Sequence, residues 1–134
     1  MTRVYIASKC NHAHEWRRLR DRFGANIIST WIDEAGQGES KSIPDLASRC
    51  IREASSCDLL ILYSQPGEIL KGALWEAGAA ISHGRSVIAV GSGASDSPVL
   101  LQHPLAARWH TAGYRGVWQV LDKVGAFGVE VPRG

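Results

Sequence analysis

Four short apolar runs punctuate the chain, at residues 4–8 (VYIAS), 26–31 (NIISTW), 58–64 (DLLILYS) and 86–90 (SVIAV). Short runs rich in β-branched and aromatic residues, bounded by polar or glycine-containing breaks, are typical of β-strands. The last two runs carry almost no polar residues, which indicates burial on both faces of a sheet. We therefore expect residues 58–64 to form a central strand.

Between these runs, apolar residues recur at the three- and four-residue spacing of amphipathic helices. The pattern predicts helices at residues 12–23, from the N-cap Ser42 to about 54, at about 70–83 and at about 114–124. Strands that alternate with helices through short links indicate a parallel sheet with right-handed crossovers. We therefore predict a three-layer α/β fold, flavodoxin-like or Rossmann-like, with a parallel sheet of about five strands and helices on both faces.

The composition fits one globular domain spanning residues 1–134, with 45% hydrophobic and 21% charged residues. No apolar run approaches the roughly 18 residues that a membrane-spanning helix needs, so we expect a water-soluble protein without a membrane partner. Residues 1–3 lead directly into the first strand, without the apolar region of a secretory signal. We therefore expect a cytoplasmic location.

Charge and cysteine spacing argue against several classes of function. A net charge of +2 is too small to indicate a groove for a nucleic acid polymer. Cys10, Cys50 and Cys57 form no CxxC pair, so neither a zinc site nor a disulfide framework is predicted. The Walker phosphate-binding motif and the dinucleotide-binding fingerprint are both missing from the sequence. We therefore predict no metal and no cofactor.

In parallel α/β sheets, ligands bind beyond the carboxyl ends of the strands. In this chain, that edge is expected to comprise residues 8–11, 31–42, 64–72 and 91–98. We therefore expect a functional site at this edge of the sheet.

Glu76 is the most distinctive residue near this edge. Its helical neighbours three and four positions away are all small, namely Gly72, Ala73, Ala79 and Ala80. Small neighbours let a ligand approach a carboxylate closely, and partial burial there favours a reactive acid. The same small residues also suit close packing of the helix on the sheet, with Glu76 as an ordinary surface charge.

The run GALWEAGAAISHGRSVIAVG resembles the catalytic helix and following strand of the nucleoside 2-deoxyribosyltransferase family. Glu76-Ala77-Gly78 falls on the family's Glu-x-Gly motif. Tyr5, within VYIAS, stands at the position of the family's active-site tyrosine, and CDLLILY resembles the strand before its catalytic loop. These segments look closest to small, often phage-associated relatives.

The resemblance implies that Glu76 is a nucleophile that attacks the sugar C1′ and forms a covalent glycosyl-enzyme, as in retaining glycosidases. Such chemistry also needs an acid that protonates the leaving base, for which Glu68 is the candidate. Tyr5 is expected to hold the Glu76 carboxylate by a hydrogen bond. Family members assemble as dimers or higher oligomers, so the resemblance also implies a homodimer.

Two positions depart from the family pattern. Cys50 stands where many members have an aspartate that contacts the base, and Glu53 is the nearest acid on the same helix. Leu70 stands where an aspartate usually precedes the nucleophile by six residues, with Glu68 displaced by two positions. Both departures bear on how a base would be recognised.

Substrate contacts are expected from residues along the same edge, namely Ser8, Lys9, Trp31, Asp33, Glu53, Gly72, Ser92, Gly93 and Ser95. The glycine- and serine-rich loop at 91–98 fits either a phosphate site or a simple connector. Ser8 and Lys9 are comparable phosphate candidates. Trp31 fits either stacking on a base or packing in the core.

Two functions fit these features. The first is an enzyme that cleaves or transfers at the N-glycosidic bond of a (deoxy)nucleoside or nucleoside monophosphate. The second is a nucleotide-binding or sensing module without turnover on the same fold, which Cys50 and the displaced Glu68 favour. In both, the partner is a small-molecule nucleoside or nucleotide. In a third, purely structural interpretation, Glu76 is a surface charge.

Overall fold

The computed structural model describes residues 1–35, 43–91 and 102–128 of the chain. The predicted N-cap Ser42 and the loop candidates Ser92, Gly93 and Ser95 lie outside these ranges. The helices and strands are, in chain order, β1 (Val4–Ala7), α1 (Ala13–Phe23), α2 (Ile43–Ser56), β2 (Leu59–Tyr63), α3 (Gly72–Ser82), β3 (Ser86–Val90), β4 (Ala106–Arg108) and α4 (Gly113–Lys123). Short 3-10 helices cover Cys10–His12 and Thr30–Asp33.

The strands form one parallel sheet in the order β1-β2-β3-β4, which confirms the predicted α/β fold class. Strand β2 has a partner on each side and all five of its residues are buried, as its apolar run predicted. All four predicted helices are present, with ends within two residues of the prediction. None of the described helices has the length and apolar character of a membrane-spanning segment.

Strand side chains alternate between two helical layers. Tyr5 of β1 points to the face covered by α2 and α3, where its hydroxyl meets Glu76. On the opposite face, the Tyr63 ring of β2 packs edge-on against Trp16 of α1 and stacks on Tyr114 of α4. The fold therefore has the three predicted layers.

Residues 26–31 form no strand, so this part of the prediction was wrong. A single parallel bridge joins Ile27 to β1, and the chain then turns into a 3-10 helix. Beyond this bridge, two side chains bond to the backbone of Ile6 where a paired strand would do so. Ser29 Oγ accepts the N–H of Ile6 at 3.2 Å, and Trp31 Nε1 donates to the Ile6 carbonyl at 2.9 Å. Together with the backbone bonds of Val4 to Asn26 and Ile28, these bonds satisfy the edge of β1. The described residues therefore contain four strands and not about five.

Strand β4 was not predicted, since none of the four apolar runs in the sequence lies between residue 98 and the last helix. Its three residues are at most half-buried and show no apolar run. The segment becomes a strand through pairing with β3, and Trp109 N continues this contact by donating to the carbonyl of Ala89 at 2.8 Å. Its strand character depends on the neighbouring strand more than on local preference.

Helix α4 approaches the sheet closely at a glycine. A Cβ at Gly116 would lie 2.0 Å from the carbonyl oxygen of Thr111 and 2.8 Å from Cγ1 of Val90. In α3, by contrast, a Cβ at Gly78 would meet nothing within 4 Å. The two helical glycines therefore provide a matched pair for testing this packing.

We predict that Gly116→Ala lowers the free energy of unfolding by about 1 to 3 kcal/mol, because the added methyl group overpacks the contact between α4 and its neighbours. Gly78→Ala should raise it by up to about 1 kcal/mol, because alanine is the better helix former and meets open space. Urea unfolding of both variants measures the difference. A Gly116→Ala protein as stable as wild type would contradict the close approach of α4.

Candidate functional site

A cavity of about 590 Å³ opens beyond the carboxyl ends of β1 and β2, at the predicted edge of the sheet. We call it the main cavity. Its lining comprises Ser8, Lys9, Cys10, Asn11, Trp31, Leu46, Cys50, Ile69, Leu70, Lys71, Gly72, Ala73 and Glu76. The segments that follow β1 and β2 thus supply two walls, and α2 with the first turns of α3 supplies the others.

Glu76 reaches this cavity because α3 packs closely on the sheet. Ala73, Ala77 and Ala80 form the buried face of the helix, and their small side chains bring its backbone near the strands. The half-buried Glu76 carboxylate consequently meets Tyr5, whose hydroxyl donates to Glu76 Oε1 at 2.5 Å. The sequence left close helix packing and an accessible carboxylate as alternatives, and the structure shows both, since α3 packs closely and Glu76 faces the cavity.

Burial governs the protonation of this pair. It raises the pKa of Glu76 from its ordinary value of 4.5 to about 7, against the hydrogen bond from Tyr5, which favours the ionised form; the charge of Glu53 adds to the rise. Burial and the neighbouring Glu76 charge also raise the pKa of Tyr5 above its ordinary value. Tyr5 therefore stays protonated and donates a hydrogen bond, while Glu76 gains and loses its proton near neutral pH.

Cys50 occupies the wall beside this pair. Burial raises the pKa of its thiol to about 11, although the hydrogen bond with Tyr5 favours the thiolate. The thiol is therefore neutral at physiological pH. At this position, where the resemblance leads one to expect an aspartate, the cavity presents an uncharged and weakly polar surface.

Glu68 does not line the main cavity. One of its carboxylate oxygens contacts His12 Nε2 at 2.8 Å, and the other accepts the backbone N–H of Gln65 at 2.7 Å. His12 is buried, and its Nδ1 contacts the Tyr114 hydroxyl at 2.7 Å. Because Asn11 precedes His12 and Ile69 follows Glu68, this network joins the two strand-end segments that wall the cavity.

The other predicted substrate contacts divide into two groups. Ser8, Lys9, Trp31 and Gly72 line the main cavity. Asp33 and Glu53 do not, since Asp33 binds Arg20 through both oxygens at 2.8 Å and Glu53 accepts hydrogen bonds from Thr30. Trp31 serves the core as well, because only 8% of its surface is exposed.

The sequence prediction missed Lys71, which lines the main cavity at the start of α3. It also missed His12, whose partner Glu68 lies 56 positions further along the chain. A lysine directly before a glycine at the predicted ligand-binding edge was a usable signal for Lys71. No local pattern pointed to His12, since its role depends on contacts between distant segments.

Comparison with known proteins establishes the fold. The sequence matches no protein-family model and no curated protein. Among solved structures, the chain is similar to the Clostridium botulinum CMP N-glycosidase BcmB, with a TM-score of 0.57 and 15% sequence identity over 92% of this chain and 97% of that chain. At this identity the likeness shows a shared fold, which agrees with the fold that the resemblance to deoxyribosyltransferases implied.

We predict that Glu76→Gln makes the protein more stable at alkaline pH. Because the pKa of Glu76 is raised to about 7, the folded protein keeps a proton that the unfolded chain releases above pH 4.5, so stability falls as the pH rises through this window. Relative to wild type, the variant should gain about 1 to 3 kcal/mol between pH 4.5 and pH 8, after allowance for solvent screening. Urea unfolding across this range measures the gain, and an equal effect at all pH values would contradict it.

We predict that Glu68→Ala lowers the free energy of unfolding by about 1 to 3 kcal/mol, because buried His12 and the Gln65 amide lose their partner. Glu68→Gln is the matched control, since its amide offers one acceptor and one donor to the same two groups. Thermal or urea unfolding compares the two. Equal stability of Glu68→Ala and wild type would contradict the network.

Proposed function

We propose that the chain cleaves or transfers at the N-glycosidic bond of a (deoxy)nucleoside or nucleoside monophosphate, through a glycosyl-enzyme formed on Glu76. The observation that carries this proposal is the Glu76 carboxylate, half-buried in the wall of the main cavity and held by Tyr5 at 2.5 Å. A carboxylate with a pKa near 7 is ionised in a substantial fraction of molecules at neutral pH and is less solvated than a surface acid.

In the first step, an oxygen of ionised Glu76 attacks C1′ of the sugar, and the bond between C1′ and the base nitrogen breaks. The electron pair of that bond stays on the nitrogen, which takes a proton from water entering the cavity. In the second step, water or another base attacks C1′, the bond from C1′ to Glu76 breaks, and the proton lost by the attacking group neutralises the hydroxide left by the first step. Tyr5 fixes one carboxylate oxygen during both steps and leaves the other free to react.

The main cavity also suits a phosphate-bearing substrate. Lys9 lines it from the segment after β1 and Lys71 from the segment after β2, and Ser8 and Asn11 add polar groups beside Lys9. Lysine ammonium groups attract phosphate as point charges. The similarity in fold to a CMP N-glycosidase supports the choice of a nucleoside monophosphate as the first substrate to test.

For Glu68 we propose a positioning role in place of direct proton transfer, because its two oxygens are engaged by His12 and Gln65 outside the cavity wall. If this is correct, Glu68→Gln retains most of the base-releasing activity. A general acid contributes about 100- to 10,000-fold to a rate. A loss of that size in Glu68→Gln, with unchanged stability, would restore Glu68 as the acid.

Binding without turnover is the second candidate function. Glu76 is the only carboxylate among the described residues that line the main cavity, whereas glycoside hydrolysis ordinarily uses two acids. Under this alternative, a bound nucleotide raises the melting temperature of the protein, but the protein releases no base from it.

Base release is the decisive test. We expect the wild-type protein, incubated with CMP, dCMP and the other common nucleosides and monophosphates, to release free base detectable by chromatography from at least one of them. Glu76→Ala and Glu76→Gln should both abolish release while keeping the circular dichroism spectrum of wild type. Unchanged release by Glu76→Ala would exclude Glu76 as the nucleophile.

We predict that Tyr5→Phe shifts the acid limb of the pH profile of kcat/KM to higher pH. The variant loses the hydrogen bond that favours ionised Glu76, so the pKa of Glu76 rises above about 7. A hydrogen bond to a charged group contributes about 1.5 to 3 kcal/mol, so the rate at pH 7 should fall about 5- to 50-fold and partly recover towards pH 9. An equal fall in kcat/KM at every pH would contradict the effect of Tyr5 on the pKa of Glu76.

A further inference from the structure

A second cavity, of about 350 Å³, adjoins the main cavity between α2 and the first turns of α3. We call it the side groove. Ala47, Ile51 and Trp75 line the side groove alone, whereas Glu76, Lys71, Cys50, Leu46 and Gly72 line both cavities. Glu76 therefore stands where the two spaces meet.

The side groove has an apolar and solvent-accessible wall. The Trp75 side chain is 78% exposed and Ile51 is 38% exposed, and both are among the few large hydrophobic residues that the described protein leaves in water. One exposed apolar residue is ordinary, but two that flank the same groove beside a buried carboxylate indicate a ligand surface.

The two cavities differ in character. Ser8, Lys9 and Asn11 make one wall of the main cavity polar and positively charged, and none of them lines the side groove. The charged residues of the side groove, Lys71 and Glu76, both lie on its boundary with the main cavity. A nucleotide has the same division, with a charged sugar phosphate at one end and a planar base at the other. The carbon C1′ joins these two ends, and the nucleophile must reach that carbon.

We propose that the side groove binds the base of the nucleotide, stacked on the exposed indole of Trp75, while the main cavity holds the sugar and phosphate. This inference rests on the proposed function and adds to it the residue that recognises the base. With the two ends placed in this way, C1′ lies at the junction where Glu76 stands. Stacking needs no carboxylate, which fits the neutral Cys50 in the shared wall.

Trp31, the stacking candidate from the sequence, fits this role less well. Its indole N–H donates to the carbonyl of Ile6, and only 8% of its surface is exposed. It can close one side of the main cavity, but it lacks the open ring face that Trp75 presents.

The test measures binding apart from turnover. Calorimetric titrations of CMP and of ribose 5-phosphate, which has no base, would use Glu76→Gln alone and Glu76→Gln combined with Trp75→Ala or Trp75→Phe. We expect Trp75→Ala to weaken CMP binding by about 5- to 150-fold, the range for one base stacked on an aromatic ring. Ribose 5-phosphate binding should stay unchanged, and Trp75→Phe should restore most of the affinity for CMP.

Two results would overturn the inference while leaving the proposed function intact. One is CMP affinity that does not depend on Trp75 in a protein that releases base. The other is a wild-type dimer that becomes a monomer in Trp75→Ala by light scattering, because the indole would then contact a second copy of the chain. Trp75-dependent CMP binding without base release by wild type would support the groove and refute the enzyme. A protein that binds no nucleotide would refute both.

Discussion

The hydrogen bond between the Tyr5 hydroxyl and Glu76 is the constraint on which the arrangement of the site depends. Tyr5 is fully buried in β1, so its hydroxyl must find a partner within the protein. Glu76 supplies that partner only because alanines at the buried face of α3 let the helix lie close to the sheet. At this position the carboxylate loses contact with water, and this loss of solvation raises its pKa.

The packing of the rest of the protein holds the surroundings of this pair in place. Side chains of Ser29 and Trp31 close the outer edge of β1, and the network of Glu68, His12 and Tyr114 ties together the segments after β1 and β2. These contacts use side chains from distant parts of the sequence. The site therefore depends on both helical layers, although Glu76 and the Tyr5 side chain lie on one side of the sheet.

Much of the fold could be predicted from the sequence because its signals are local. The all-apolar β2 and the helical spacing in α1 and α4 depend on burial patterns that each segment carries by itself. Residues 26–31 looked equally strand-like, but after the single bridge at Ile27 the side chains of Ser29 and Trp31 bond to Ile6 in place of further backbone pairing. For β4 the reverse holds, since pairing with β3 creates a strand that its own residues do not indicate.

The site was also predictable only where the signal is local, and contacts between distant segments were missed. Glu76 and Tyr5 were found from their surroundings in the sequence and from the family resemblance, and the structure places them in contact. Glu68 was found as an acid near the right edge, but its engagement by His12 depends on a contact that no sequence pattern displays. The exposure of Trp75 and the buried setting of Trp31 likewise become visible only when the helices are assembled.

The titration of Glu76 shows directly whether its carboxylate is shielded from water. Carbon-13 NMR of the glutamate side-chain carboxyls, with Glu76→Gln to assign the resonance, follows this titration in the wild-type protein. We expect a midpoint near pH 7, the pKa to which burial raises this group. A midpoint near the ordinary value of 4.5 would mean that water reaches the carboxylate freely, which would contradict the buried setting of the proposed nucleophile.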